Sequence, residues 1–400
     1  VLLCSVPAVT ATAAGGDAGQ RLRALYEEEY RWRQQELGKI EGPDGEWLAG
    51  DSLPRVDRET QARHLDYWQK ALATLDGIPT AELDAEERIN ADVFRQIVTT
   101  LADKVRYKTY EAPFNSDTFF WTGLYPRLGG FDDAEGYRRY IARLRDLPRY
   151  FEEHKQNMRA GLERGYSVPR VTLQGRDSSV EAYLEAGRDN PYWTPMNDLP
   201  PQVAAAEADA LQEELAAAIE ESVVPAYRSL LAFLREVYAP ASRTTLAARD
   251  LPDGAAFYRA QIRGFTTLDL SPDEIHEQGK AEVARIEKEM RATIARTGFD
   301  GDFAAFLAHL RSDPQFYAST GRELLSYSAY VAKRVDGKLG DMIGFLPRRR
   351  FTILPVPEAL APFYTSGRGG LNSCLMNTHD LPSRPLYNLA ALTLHECAPG

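Results

Sequence analysis

His395 and Glu396 stand in the run Leu394-His395-Glu396-Cys397-Ala398-Pro399-Gly400, and no other residues in the chain are better suited to chemistry. Peptide hydrolysis needs a Lewis acid to polarise the carbonyl and a base to take a proton from the attacking water. Neutral imidazole is a good zinc ligand, and a carboxylate one residue later can be aimed at metal-bound water rather than at the metal. The pair is expected to supply one metal ligand, His395, and one general base or water-orienting group, Glu396. A zinc site wants three protein ligands, so this imidazole cannot close one alone. In the H-E-x-x-H pattern the second ligand stands four residues after the first. That position is Pro399, which has no donor to offer.

Other residues are candidates of lower specificity. Tyr364 could donate a hydrogen bond to a developing oxyanion, or simply pack at a strand edge. Arg384 could hold a peptide carboxylate through a bidentate pair, or serve helix-start packing or a structural ion pair. His379, in the loop before the motif, could neighbour substrate or metal, or be an ordinary loop residue. The pair His276-Glu277 reads as a decoy, because Lys280 stands where a second histidine would be needed. His64, His154 and His309 lie in charged helical text and read as surface or boundary residues. The glycines Gly367, Gly369 and Gly370 are followed by no Lys-Ser/Thr, so they read as a mobile turn over a cleft, not a phosphate loop. A nucleophilic role for Cys397 lacks an evident base.

These side chains need elements to position them. Apolar residues at three- and four-residue spacing predict helices over 18–37, 57–75, 86–105 and 133–165. The longest predicted helix covers 201–238, with Leu211, Leu215, Ile219, Val223, Tyr227, Leu230 and Leu234 as its stripe. Pro225 predicts a kink or break there, because it removes a backbone donor and crowds the preceding turn. Ser271-Pro272-Asp273-Glu274 is a capping box with proline at the first helical position. Ile275, Val283, Ile286, Met290 and Ile294 then predict a buried stripe ending at Gly298. Three strand-like stretches follow, over 351–357, 363–365 and 373–378, with a Gly-rich turn over 366–370. A last helix over 385–394 delivers His395 and Glu396. The fold class expected is mainly α, an extended helical body with a small β-sheet beside the motif helix.

Of the 400 residues, 44% are apolar and 26% charged, the proportions of an ordinary globular protein. The net charge of −11, with both signs interleaved, argues against a nucleic-acid partner. Arg348-Arg349-Arg350 is the basic cluster of note, read as a solvated strand entrance or an anion site. Residues 1–14 read as the remnant of a secretory signal peptide, with Ala11 and Ala13 in the small-x-small cleavage pattern. No later apolar stretch approaches the roughly 18 residues of a membrane span. A periplasmic or secreted protein is therefore expected. Beyond Cys4, only Cys374 and Cys397 remain; they read as buried free thiols, with pairing in an oxidising compartment left open.

The stretch Asn377-Thr378-His379-Asp380-Leu381-Pro382-Ser383-Arg384-Pro385, followed by Ala391-Leu392-Thr393-Leu394-His395-Glu396-Cys397-Ala398-Pro399-Gly400, resembles the bacterial DUF885 family. Ser271-Pro272-Asp273-Glu274-Ile275-His276-Glu277, Asp313-Pro314-Gln315-Phe316-Tyr317, Phe345-Leu346-Pro347 and Pro355-Val356-Pro357-Glu358 extend the resemblance upstream. It implies one domain over 18–400 with a zincin- or neurolysin-like metallopeptidase architecture. It also implies that the chain is cut within an HExxPGH motif, with further histidines and an acidic ligand beyond it. The activity implied is zinc-dependent hydrolysis of short peptides outside the cytoplasm. The site would comprise His395 as metal ligand, Glu396 and Tyr364 as catalytic residues, and Arg384 and Asn377 as substrate-binding residues. The alternatives are a non-catalytic periplasmic binding or scaffolding protein, or a metal-dependent amide or ester hydrolase.

Overall fold

The computed structural model describes residues 17–114, 119–121, 124, 130–201, 203–346, 348, 350–358, 360–370 and 373–397. The signal-peptide remnant, Cys4, Pro347, Arg349 and 398–400 lie outside the described residues. The chain groups into two compact units. The first comprises 1–113, 129–169 and 195–270, and the second 114–128, 170–194 and 271–400. No helix among the described residues is long and apolar enough to cross a membrane.

In the first unit, α1 (Asp17–Glu36), α2 (Arg58–Asp76) and α3 (Ala85–Arg106) pack around Leu22, Trp68, Leu75, Phe94 and Val98. Asp57 and Asp84 start α2 and α3 by accepting first-turn N–H groups that would otherwise lack partners. Between α1 and α2 lies a hairpin absent from the sequence reading, β1 (Lys39–Glu41) antiparallel to β2 (Trp47–Ala49). The helix expected over 133–165 is two helices, α4 (Ala134–Arg145) and α5 (Leu147–Arg164), because Pro148 suits a first turn and not an interior. His154 is neither the surface nor the boundary residue expected. It is buried on α5 with its ring edge against Tyr150, and burial pushes its pKa down to about 3.

At Pro225, where a kink or break is expected, the helix does not break but changes its winding. α6 (Ala205–Ala218) runs through a π-helical turn, Ile219–Val223, into α7 (Val224–Phe233). A second π-helical turn, Leu234–Tyr238, leads into the short α8 (Ala239–Ala241). Val224 N–H donates to Ile219 O and Ala239 N–H to Leu234 O, five residues back. Pro225 and Pro240 follow these donors directly. Each proline thus sits where the hydrogen-bond ladder has already shifted, and the helix continues. The α9 helix (Gly254–Thr266) completes the unit.

The last part of the second unit, from Ser271, begins with α10 (Pro272–Thr297), whose capping box forms with Ser271 and Glu274 bonding each other's backbone N–H. Gly298 ends it at φ +73°. Its expected buried stripe is largely exposed: Val283 is 65%, Ile286 44% and Met290 41% exposed, and only Ile294 is buried. Periodicity marks an apolar face but does not provide the element that covers it. α11 (Phe303–Ser312), α12 (Gly321–Asp336) and α13 (Leu339–Met342) follow.

A three-stranded sheet then forms in the order β3 (Thr352–Pro355), β5 (Ser373–Met376), β4 (Gly367–Arg368). β3 is parallel to β5, with Ile353 opposite Cys374, and β4 is antiparallel to β5, with Gly367 opposite Met376. Two sequence expectations change here. The stretch 363–365 is no strand but starts at the end of a 3-10 turn over Ala361–Phe363, and the glycine segment supplies the edge strand β4. The last helix, α14 (Leu386–Glu396), starts after Pro385, in agreement with the sequence.

Candidate functional site

Alternation along β5 sets the two sides of the site. Cys374 and Met376 point to one face, where they are buried with Leu324 of α12 and Leu389 of α14. Leu375 points to the other, against Val356, Leu360, Ala361 and Tyr364. α14 thus lies on the sheet through Leu389 and the fully buried Thr393. Thr393 returns its hydroxyl to Leu389 O at 2.7 Å, which satisfies that buried polar group.

The last turn of α14 is fixed at two points. Cys397 is disulfide-bonded to Cys374, closing a separation of 23 residues. This corrects the free-thiol reading; the strand and the helix end, distant in sequence, meet in the fold. The second point is Gly369, whose N–H donates to Glu396 Oε2 at 2.6 Å. A Cβ on Gly369 would overlap the Glu396 carbonyl oxygen, so only glycine lets this backbone approach so closely. The glycine segment is therefore an edge strand and clasp for the helix end, not a free turn. His395 is exposed and Glu396 half-buried.

The remaining predicted residues fall nearby with different roles. Asn377 is buried, and its amide donates to Ala361 O at 2.8 Å and to Tyr364 O and Thr365 O at 3.2 Å. Its Oδ1 accepts from His379 N–H at 2.9 Å. In this geometry Asn377 clamps the 361–366 segment and also lines the cavity beside α14. Tyr364 is half-buried in the Val356 cluster, with the Arg368 guanidinium 5.5 Å from its ring centroid. Arg384 donates to Ser366 Oγ at 2.9 Å and to His379 O at 3.2 Å. Burial holds its pKa below the usual arginine value, against a smaller opposing effect of Asp380. His276 and Glu277 lie exposed on α10, Glu277 paired with Lys280 at 3.0 Å.

A cavity of about 250 Å³ opens beside α14, lined by Arg384, Ser366, Asn388, Leu324, Leu389 and Leu392 among others. Larger cavities of about 470 and 460 Å³ lie in the first unit, away from the motif residues in the chain, and hold no His-Glu pair. Size does not identify the site here; the chemistry of the lining does.

No group of three or more His, Cys, Asp or Glu side chains that could hold a metal occurs among the described residues. His395 is a single imidazole, and the Cys397 sulfur is committed to the disulfide. The described residues alone therefore do not fit a zinc site.

The geometry defines a mainly α-helical protein in which a helix ending in His-Glu is clasped to a small mixed sheet. The chain belongs to the family of bacterial proteins of unknown function DUF885, whose profile matches residues 34–400. Its fold is similar to the crystal structure of a "putative lipoprotein" from Colwellia psychrerythraea, with TM-score 0.80 at 18% identity over 96% of this chain and 71% of that one. A "putative lipoprotein of unknown function" from Shewanella oneidensis matches with TM-score 0.56 at 12% identity over the same shares. No functionally curated protein matches the chain.

Proposed function

We propose that this chain carries part of the active site of a hydrolase that cleaves short peptides outside the cytoplasm. The observation that supports it is the placement of His395 and Glu396 on one clasped helix turn. The Gly369 N–H holds Oε2 of Glu396, which leaves Oε1 to receive a proton. In the reaction, water adds its oxygen to the acyl carbon, the C–N bond breaks, and the proton passes through Glu396 to the departing amine. Tyr364 is the candidate donor to the oxyanion, and Asn377 would act by fixing the segment that carries Tyr364. His395 would be one ligand of a zinc ion, and the others would have to come from outside the described residues.

A location outside the cytoplasm is supported by the Cys374–Cys397 disulfide, since such bonds persist in oxidising compartments. The lipoprotein descriptions of the two similar structures point the same way. A second reading is a binding protein that keeps the fold without turnover; among the described residues no group of three metal-donor side chains occurs.

The test is metal analysis of the intact protein together with hydrolysis of a peptide library by it and by Glu396→Gln. Bound zinc and a loss of about 10²-fold or more in rate in the variant are expected. Full activity in Glu396→Gln would remove the proposed base, and a metal-free protein without turnover would leave the binding reading.

A further inference from the structure

We infer that the cavity beside α14 is a receptor for the free C-terminal carboxylate of a peptide, with Arg384 as its anion-binding group. Arg384 is half-buried, and both of its hydrogen bonds go to neutral oxygens, Ser366 Oγ and the His379 carbonyl. No carboxylate is in ion-pair contact with it among the described residues. Asp380 is close enough to favour the cation but is exposed and forms no ion pair with it. A guanidinium partly withdrawn from water and lacking a counter-ion gains from an incoming carboxylate, which it can grip through two parallel N–H···O bonds.

The rest of the cavity suits the same ligand. Leu324, Leu389 and Leu392 offer an apolar wall for the last side chain, while Ser366 and Asn388 offer hydrogen bonds beside Arg384. At about 250 Å³ the space takes one or two residues, below the roughly 300–1,000 Å³ typical of sites for larger ligands. The anchor is therefore for a chain end and not for a long stretch of peptide.

Helix geometry relates this anchor to Glu396. Asn388 and His395 are seven residues apart and Leu392 and Glu396 four, so both pairs lie along one side of α14. Seven residues of helix advance about 10 Å, the length of about three residues of extended peptide. A peptide anchored at Arg384 and running along α14 would bring the bond two or three residues from its C-terminus to Glu396. The substrate class is then peptides with a free, apolar C-terminal residue, and the product a C-terminal di- or tripeptide. The cleavage position rests on the hydrolase reading; the anchor does not.

The test compares ligands first with the pocket residues unaltered and then with one of them changed. Glu396→Gln protein, which should not turn substrate over, is titrated calorimetrically with acetyl-Ala-Leu and with acetyl-Ala-leucinamide. The acid should bind at least 10-fold tighter, and Asn388→Asp, which places a carboxylate beside Arg384, should erase that preference. Equal affinity for acid and amide, or no binding of either, overturns the anchor. In parallel, intact protein is incubated with one hexapeptide in acid and amide forms, and products are read by mass spectrometry. Release of a C-terminal di- or tripeptide from the acid, at least 10-fold faster than from the amide, is expected. Equal cleavage of both overturns the anchor while sparing the hydrolase. Acid-selective binding without any cleavage overturns the hydrolase while sparing the anchor.

Discussion

The Gly369 N–H and the Glu396 carboxylate meet at 2.6 Å across 27 residues of sequence, at a point where no side chain fits on the glycine. Gly369→Ala should therefore displace the end of α14. Overpacking of this kind costs about 1–3 kcal/mol, and a misplaced catalytic group costs on the order of 10²-fold in rate. Hydrolysis assays with circular dichroism as a folding control check this; an unchanged rate in folded protein would separate Glu396 from the chemistry.

The Cys374–Cys397 bond should be a stabilising element of the second unit. Closing a loop of this length restricts the unfolded chain by about 3 kcal/mol in the chain-entropy account. Replacing both cysteines with serine should lower the urea midpoint of the transition reporting on this unit by a matching amount. Peptide mapping without reductant should recover the two cysteine peptides joined, and two freely titrating thiols would contradict the fold drawn here.

Asn377→Ala should destabilise more than a surface change. The three carbonyls that its amide serves would lose a donor in a buried place, at about 1–3 kcal/mol for an unsatisfied group. The measurement is faster hydrogen exchange over 361–366, the segment that Asn377 clamps. Asn377→Asp should be at least as damaging, since an acceptor would then face acceptors.

His154 gives the protein an acid-sensitive term. Its folded pKa lies near 3, below the usual histidine value, because burial disfavours the charged ring. The unfolded chain then binds the extra proton first as pH falls below about 6.5, so stability is intact above that pH and declines toward pH 3. The full shift corresponds to roughly 5 kcal/mol as an upper bound. Thermal unfolding across this window should show a slope that His154→Phe reduces; identical slopes would remove His154 as the source.

Local signals were the legible ones. The α10 start was readable because Ser271, Pro272 and Glu274 carry the whole cap within four residues. The β1–β2 hairpin had a signal in Gly42-Pro43-Asp44-Gly45, but three-residue strands are too short for alternation to register. The His395-Glu396 pair was visible as text. Its supports were not, since the Gly369 clasp and the bridge to Cys374 depend on segments brought together only by the fold. The exposed side of α10 marks the same boundary: Val283 and Met290 have the spacing of a buried face, and spacing says nothing about what lies opposite.

The two wide turns in the long helix of the first unit also settle an arithmetic mismatch. Of the buried apolar residues there, one row (Leu211, Leu215, Ile219, Val223, Tyr227, Leu230, Leu234 and Tyr238) recurs almost every four positions across 27 residues. At about 100° per residue, a uniform α-helix would carry such a row roughly half a revolution around its own axis. One extra residue in each π turn absorbs about 100°, and two together nearly cancel that drift. Chain length is thus as informative here as residue type. Removing a single residue from either turn would leave every remaining side chain suitable and aim those beyond it away from the neighbours they now meet.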